Sequence, residues 1–404
     1  MSIARNAALV AAAGLAFTLA GCNSGHGKHT SEGLAQAQQR MADMKAATSW
    51  DLARQQYLVG DLSKALDNVD QSIEYSPSVP KSHTLRGRIL IELGQLEQSI
   101  ESFKRAVAID PAFHEAHYYL GIAMERVSDF ERAGDAYETA ANLDPSNSQY
   151  AIAAAEMLIE LGYIERAEEL LRSRTAMFEH NAGVRQTLGH LAMLRGDSAD
   201  AVAMFREARL LAPDDLSVAE DLALSLASNS DWVEAEYTLR TLLKSKDFTD
   251  RRDLKRMHAR ALVAIDRPVE ARTILLALTT DEAGRNDWQA LIDLASVALI
   301  LKDDARARLS ARRALALVPD HPEPYAMLAA VQFRNGELEG ALDSLNKAVE
   351  RSRGDATPAL MRGVVLSRLG RQAEAEASFN LALQIDPTDE RAMRMIAGVG
   401  DDEN

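Results

Sequence analysis

The chain has 404 residues and one cysteine, Cys22. A single thiol excludes an intramolecular disulfide, so the fold does not rely on an oxidising compartment. Aromatic residues make up only 5% of the chain while apolar residues make up 47%, a balance suited to helices packed through alanine and leucine. No Gly/Ser-rich or Pro-rich linker follows residue 33. There is also no Gly-rich phosphate loop and no GxSxG motif. His114-Glu115-Ala116-His117 holds an HxxH, but a metalloprotease helix needs its histidines four apart with the glutamate beside the first. The acidic pairs Glu168-Glu169 and Asp303-Asp304 read as solvated helix or turn residues. No catalytic site, resident cofactor or metal centre is expected.

Formal net charge is −15, and Arg5 is the only charged residue among the first 21. An acidic surface repels phosphate backbones, so nucleic acid is not an expected partner. It gives no electrostatic attraction to anionic lipid either. The excess charge serves solubility.

What the sequence does contain is a period. Pro111, Pro145 and Pro213 are separated by 34 residues or twice that, and so are Gly87, Gly121 and Gly189. Ala65, Ala133, Ala167, Ala201 and Ala235 keep the same step. Ten copies begin near Ala46, Pro80, His114, Ser148, Ala182, Leu216, Arg252, Trp288, Pro322 and Ala356, the seventh and eighth arriving two residues late. A fixed period of this length means stacked copies of one supersecondary unit, none of which can bury its apolar face alone.

The third copy shows the unit. His117, Leu120, Gly121 and Met124 recur at helical spacing, a polar break follows at Ser128-Asp129, and Ala133, Tyr137 and Ala140 form a second helical stripe. Asp144-Pro145 ends it, since the residue before proline is driven out of the helical region. Each copy therefore predicts a helix–turn–helix pair. Gly121 and Ala133 are expected to meet where the two helices come closest, with Leu120, Tyr137 and Leu171 filling the layer between units. His117 is expected to pack.

Leu120-Gly121, Ala133, Tyr137, Ala140 and Pro145 resemble the tetratricopeptide repeat pattern W-x2-L-G-x2-Y, A-x3-F-x2-A, P, and so do Leu188-Gly189, Ala201, Phe205, Ala208 and Pro213. Gly363, Ala375, Phe379, Ala382 and Pro387 repeat it in the last copy. The fourth, sixth, seventh and ninth copies lack the closing proline, having Glu179, Asp247, Ala283 and Arg353 there. The resemblance implies an all-α, right-handed superhelical solenoid over residues 46–389. It further implies a non-catalytic scaffold whose first helices line a concave face, with the second, fifth, ninth and twelfth slots of each copy turned inward. On this sequence those slots give Trp50, Arg54 and Tyr57, then Lys81, Thr84 and Arg88, then Glu115, Tyr118, Ile122 and Glu125. Trp, Tyr and Arg often carry binding energy, so Trp50, Arg54, Tyr57, Arg88 and Tyr118 are the expected partner-binding groove. The alternative is that Trp50 packs inside. No asparagine stands at any ninth slot, so the family's carboxylate-clamp signature is absent.

The amino terminus reads as an address. Arg5 precedes an apolar run over residues 7–20, too short and alanine-rich for a membrane span. Leu19-Ala20-Gly21-Cys22 resembles a bacterial lipobox, which implies a signal peptide over residues 1–21, lipid on the Cys22 thiol and cleavage before it. Several acyl chains on one residue make a stable anchor. Asn23 in place of aspartate leans toward the outer membrane, facing the periplasm. Residues 22–33 read as a flexible tether, where His26 and His29 lack the further ligands a metal site needs. Residues 34–45, with Leu34, Met41 and Met44 on one face, are expected to cap the first copy. Residues 390–404 supply a closing helix and an acidic tail. Together these features imply an envelope adaptor that binds proteins or peptides, or alternatively a structural subunit of an envelope assembly or export complex for secretion, pili or polysaccharide.

Overall fold

The computed structural model describes residues 28–401. Residues 1–27, with the expected signal peptide, Cys22 and most of the tether, lie outside the described residues, as do residues 402–404 of the tail. Among the described residues there are 21 α-helices and one 3₁₀ turn. They fall into two compact units that part between Thr187 and Leu188.

The first unit opens with α1 (Lys28–Leu58), paired with α2 (Leu62–Tyr75). Then come α3 (Pro80–Glu92) with α4 (Leu96–Ile109), α5 (His114–Arg126) with α6 (Phe130–Leu143), and α7 (Ser148–Glu160) with α8 (Ile164–Arg172). Helix α9 (Ala182–Leu194) carries the division between the units. The second unit continues with α10 (Ser198–Leu211), α11 (Leu216–Ser228) with α12 (Trp232–Leu242), and α13 (Arg252–Ala264) with α14 (Pro268–Thr280). It ends with α15 (Trp288–Ile300) and α16 (Asp304–Leu317), α17 (Pro322–Arg334) and α18 (Leu338–Arg351), α19 (Thr357–Arg368) and α20 (Gln372–Ile385), and α21 (Glu390–Asp401). The chain is thus all-helical and built of paired helix–turn–helix units.

The turn inside each pair sets the period. Its left-handed residue is Gly60, Gly94, Gly162, Gly196, Gly336 or Gly370 in six copies and Ser128, Ser230, Asp266 or Lys302 in the other four. Each lies fourteen positions after the start of its copy, including the two late ones. The extra residues are therefore inserted between pairs, before Arg252 and in the 3₁₀ turn Ala283–Asn286, and the turn within each pair is preserved. Asp61, Asp129, Asp197 and Asp303 follow this residue and cap the second helix, each accepting from the amide three residues on. Lys302 is exposed at a φ of +61°, where a Cβ is disfavoured. Lys302→Gly should therefore stabilise the protein by about 0.5–1 kcal/mol. A urea melt reads this, and an unchanged or lower midpoint would refute it.

Closing chemistry is equally local. Asp110, Asp144 and Asp386 each accept an amide two residues on, from Ala112, Ser146 and Thr388 at 3.0, 3.2 and 2.9 Å, before the next helix starts. Copies four and six lack the Asp-Pro step, and their second helices, α8 and α12, shorten to 9 and 11 residues and run out in turns.

Three expectations are refined or corrected. First, the atoms nearest a Cβ on Gly121 belong to the Tyr137 ring, at 2.6 Å, so the glycine makes room for an aromatic side chain of its own pair. Gly87 and Gly189 sit in the same way under Phe103 and Phe205, as Gly363 does under Phe379. Second, residues 34–45 are not a separate cap, and the tether does not extend to residue 33, because α1 runs unbroken from Lys28 to Leu58. Third, Leu34, Met41 and Met44 are exposed. Another face covers the first pair: Ala46 is buried, Asp43 accepts from the Ser76 hydroxyl at 3.1 Å, and Lys45 lies over the Tyr75 ring. At the other end α21 closes the array through Ala392 and Ile396, which pack on the core beneath them.

His117 is half-buried and its Nε2 lies 2.9 Å from the Pro111 carbonyl. His83, one period earlier, makes the same bond to Pro77, and burial holds its pKa below the ordinary histidine value. Both histidines tie a first helix to the loop before it.

Candidate partner-binding groove

The residues that face out of the first three pairs come from consecutive first helices, α1, α3 and α5. Trp50, Arg54, Tyr57 and Leu58 from α1, Lys81, Thr84, Leu85 and Arg88 from α3, and Glu115 from α5 line one depression of about 220 Å³. Four of the five residues expected from the sequence thus converge on one site. The slots repeat every 34 residues, and stacking places equivalent slots side by side.

Trp50 neither points freely into solvent nor disappears into the core. One side packs against the cluster containing Ala53, Val69 and Leu85. Its indole Nε1 donates to the Lys81 carbonyl at 3.3 Å, which fixes the ring plane. The exposed side carries two cations, Lys81 Nζ at 4.5 Å and the Arg54 guanidinium at 5.4 Å from the ring centroid. Among the described residues neither cation is paired with a carboxylate. Arg88 spans the next interval, with its guanidinium 5.1 Å from the Tyr57 ring centroid and 4.6 Å from that of Tyr119. Its Nη1 lies 3.6 Å from Glu115 Oε1, and its buried Nε has no hydrogen-bond partner. The depression therefore has aromatic walls, three cations and one carboxylate.

Tyr118 is not part of that lining. It lies deeper along the same face, in a cluster of rings: 4.8 Å from Tyr150, 5.4 Å from Tyr119 and 5.6 Å from Tyr137 by centroids. Tyr137 donates to Glu125 Oε2 at 2.7 Å, and the Tyr150 hydroxyl meets His114 Nδ1 at 3.1 Å. Burial pushes the Tyr150 phenol up to about 12, and burial with the charges of Glu156 and Glu125 raises that of Tyr118. These phenols stay neutral and act as surfaces and hydrogen-bond donors.

The slot rule missed Tyr119 and Tyr150. Tyr119 stacks on Phe103 at 6.0 Å and forms the platform under Arg88. The only sequence signal was the doublet Tyr118-Tyr119, in which the second tyrosine falls outside the inward slots. Tyr150 is buried yet aromatic on both sides, a role that depends on the neighbouring copy.

Among the described residues no group of three His, Cys, Asp or Glu side chains is placed to hold a metal ion, and no helix is long and apolar enough to cross a membrane. Flat aromatic faces and unpaired cations can bind and orient a polypeptide.

A regular array of helix pairs with such a face defines the class of helical repeat scaffolds. Family models of the tetratricopeptide repeat match residues 148–173, 187–248, 256–322 and 326–390, and a TPR repeat model matches residues 87–127. The chain belongs to the tetratricopeptide repeat family. Those matches leave out the first helix pair, which holds Trp50, Arg54 and Tyr57. No curated protein matches the chain in sequence. Among solved structures it is similar to the APC/C hetero-tetramer Cut9–Hcn1, at 14% identity and a TM-score of 0.46 over 89% of this chain and 84% of that one. Yeast Tom70 is similar at 15% identity and 0.46, over 89% of both chains. PilF of Pseudomonas aeruginosa is similar at 19% identity and 0.43, over 52% of this chain and 96% of that one. The family assignment rests on the sequence matches. Proteins of this family are typically non-catalytic scaffolds that bind proteins or peptides, and this chain is a protein–protein interaction scaffold.

Proposed function

We propose that the protein is an adaptor anchored by lipid on Cys22 to a bacterial membrane, the outer membrane facing the periplasm. There it holds envelope proteins or peptides against the face made by α1, α3 and α5. The observation that carries this reading is the convergence of Trp50, Arg54, Tyr57 and Arg88 on one depression from three helices. Large planar side chains already fixed by packing lose little entropy when a ligand is laid on them. Hydrophobic contact with Trp50 and charge-assisted contact with Arg54 and Arg88 are the terms such a site supplies. Anchoring is supported by the only cysteine standing at the end of the lipobox-like segment.

A photocrosslinking residue in place of Arg54, installed in the producing cells, should capture a discrete partner. Adding Trp50→Ala should lower that capture at least about tenfold, equivalent to losing one hot-spot contact, with the helical circular dichroism unchanged. Capture indifferent to Trp50 would overturn the groove. Cys22→Ser should move the protein from the membrane to the soluble fraction, and membrane association that survives the change would overturn the anchor.

One observation favours the alternative, a structural subunit of an envelope assembly or export complex. Leu210, Val233, Tyr237 and Leu309 are exposed on second helices of the second unit. Under that reading, charges placed at Leu210 and Val233 abolish function and Trp50→Ala does not.

A further inference from the structure

The charges on the face described above are sorted by copy. At the inward slots of the first two copies every ionisable acid or base except Tyr57 is a cation: Arg54, Lys81 and Arg88. In the next two copies every charged residue at the same slots is a carboxylate: Glu115, Glu125 and Glu156. Between them the floor is aromatic, with Tyr57, Tyr119, Tyr118 and Tyr150 in successive contact through Arg88 or ring to ring. The two charge sets meet at one loose pair, Arg88 and Glu115 at 3.6 Å. Had the sorting served only to hold the copies together, cations and carboxylates would alternate and pair closely. In the second unit they do pair closely: Arg256 and Arg260, at inward slots of one copy, bind Asp293, beside an inward slot of the next, at 2.8 Å. In the first unit Arg54 and Lys81 rest on an indole instead.

Resting on the adaptor reading and deepening it, we propose that this groove selects an extended polypeptide segment of bipolar charge. Its acidic end lies over Trp50, Arg54 and Lys81, and its basic end over Tyr118, Glu125 and Glu156, with apolar or proline residues on the tyrosine floor between them. Two like-charged clusters on a tyrosine floor impose an order on the ligand as well as a composition. A uniformly acidic ligand meets the carboxylates of copies three and four, and a uniformly basic one meets the cations of copies one and two. Nucleic acid is rejected on the same ground. Burial raises the Tyr118 phenol's pKa first, and the charges of Glu156 and Glu125 add to that shift, so their field reaches the floor on which the ligand lies.

The test uses the protein beginning at residue 22 and three fluorescein-labelled peptides of equal length with a shared leucine–proline centre. One carries glutamates on one side and lysines on the other, one carries glutamates only and one lysines only. A second bipolar peptide reverses the order. Fluorescence anisotropy should show one bipolar order bound at least about tenfold more tightly than either uniform peptide. The preference should fade as salt rises through the range in which the Debye length shortens. Arg54→Glu with Lys81→Glu changes two residues on the depression rim without touching the core, and should turn the preference toward the all-lysine peptide. Glu156→Lys should turn it toward the all-glutamate peptide. Equal binding of bipolar and uniform peptides, or preferences that do not follow these charge reversals, overturns the proposal. If cellular capture depends on Trp50 while the peptides show no charge preference, the bipolar ligand is refuted and the adaptor stands. Capture that is indifferent to Trp50, or no captured partner at all, refutes the adaptor reading itself.

Discussion

Gly189→Ala should destabilise the fifth copy by about 2 kcal/mol, and Phe205→Leu in the same chain should restore most of it. A Cβ on Gly189 would lie 2.6 Å from the Phe205 ring, whose side chain is 1% exposed and has nowhere to move. Overpacking of this kind costs roughly 1–3 kcal/mol. The better helix propensity of alanine offsets up to about 1 kcal/mol of a larger figure. The protein itself supplies the rescue. Wherever alanine occupies the glycine slot, the residue sixteen positions on is aliphatic: Ala53 with Val69, Ala155 with Leu171, Ala223 with Leu239, Ala259 with Leu275, Ala295 with Ala311 and Ala329 with Leu345. Glycine goes with Phe103, Tyr137, Phe205 and Phe379. Apart from the smaller Ala295 with Ala311, the volume of the pair is roughly kept while its division varies. Phe205→Leu alone should cost about 1 kcal/mol through the space it leaves, so the two changes should couple by roughly 2 kcal/mol. Native-state hydrogen exchange at α9 and α10 is the proper measurement, because long repeat arrays need not unfold as one unit. Additive costs would remove this account of the glycines.

Asp293→Ala should cost more, about 3–5 kcal/mol, the usual penalty for leaving a buried charge unpaired. Asp293 and Arg256 are nearly enclosed, with side chains 10% and 13% exposed, and the Arg256 Nε bond to Asp293 Oδ2 is 2.8 Å. Arg260 reaches the other carboxylate oxygen but is 56% exposed, so Arg260→Ala should cost less than about 1 kcal/mol. Replacing Asp293 and Arg256 together by leucine and methionine should recover most of the loss, because two apolar groups carry no desolvation debt. Urea titration of the three variants decides the matter. A mild effect of Asp293→Ala would mean that water reaches Arg256 and the pair is not a keystone of the second unit.

The contrast between these two sites marks how far the sequence could be read. The starts of the copies after the first, the place of each internal turn and the helix–turn–helix unit were legible because they follow from local rules. These are the helical spacing of apolar residues, a left-handed residue between two helices, and aspartate or proline at the ends. The convergence of Trp50, Arg54, Tyr57 and Arg88 on one depression, the candidate groove, was legible too, since they are related by slot and stacking preserves slots. What the slot rule could not supply was the partner of each side chain. Tyr118 went to the tyrosine cluster because Tyr150 of the next copy offers it a ring, and Tyr119 took its place under Arg88.

The amino-terminal helix makes the same point. The boundary expected near Ala46 was drawn from the period, but no residue there breaks a helix, so α1 continues from Lys28 and buries a face other than the one its apolar residues mark. By itself, then, the sequence determined the period, the pairing of helices and the positions that turn outward, all properties of a chain and its nearest neighbours. Only the tertiary structure decided which glycine shelters which ring, which cation rests on Trp50 and where carboxylates close on arginines. Those outcomes depend on side chains brought together from different helices and copies, and distance along the chain does not measure their distance in space.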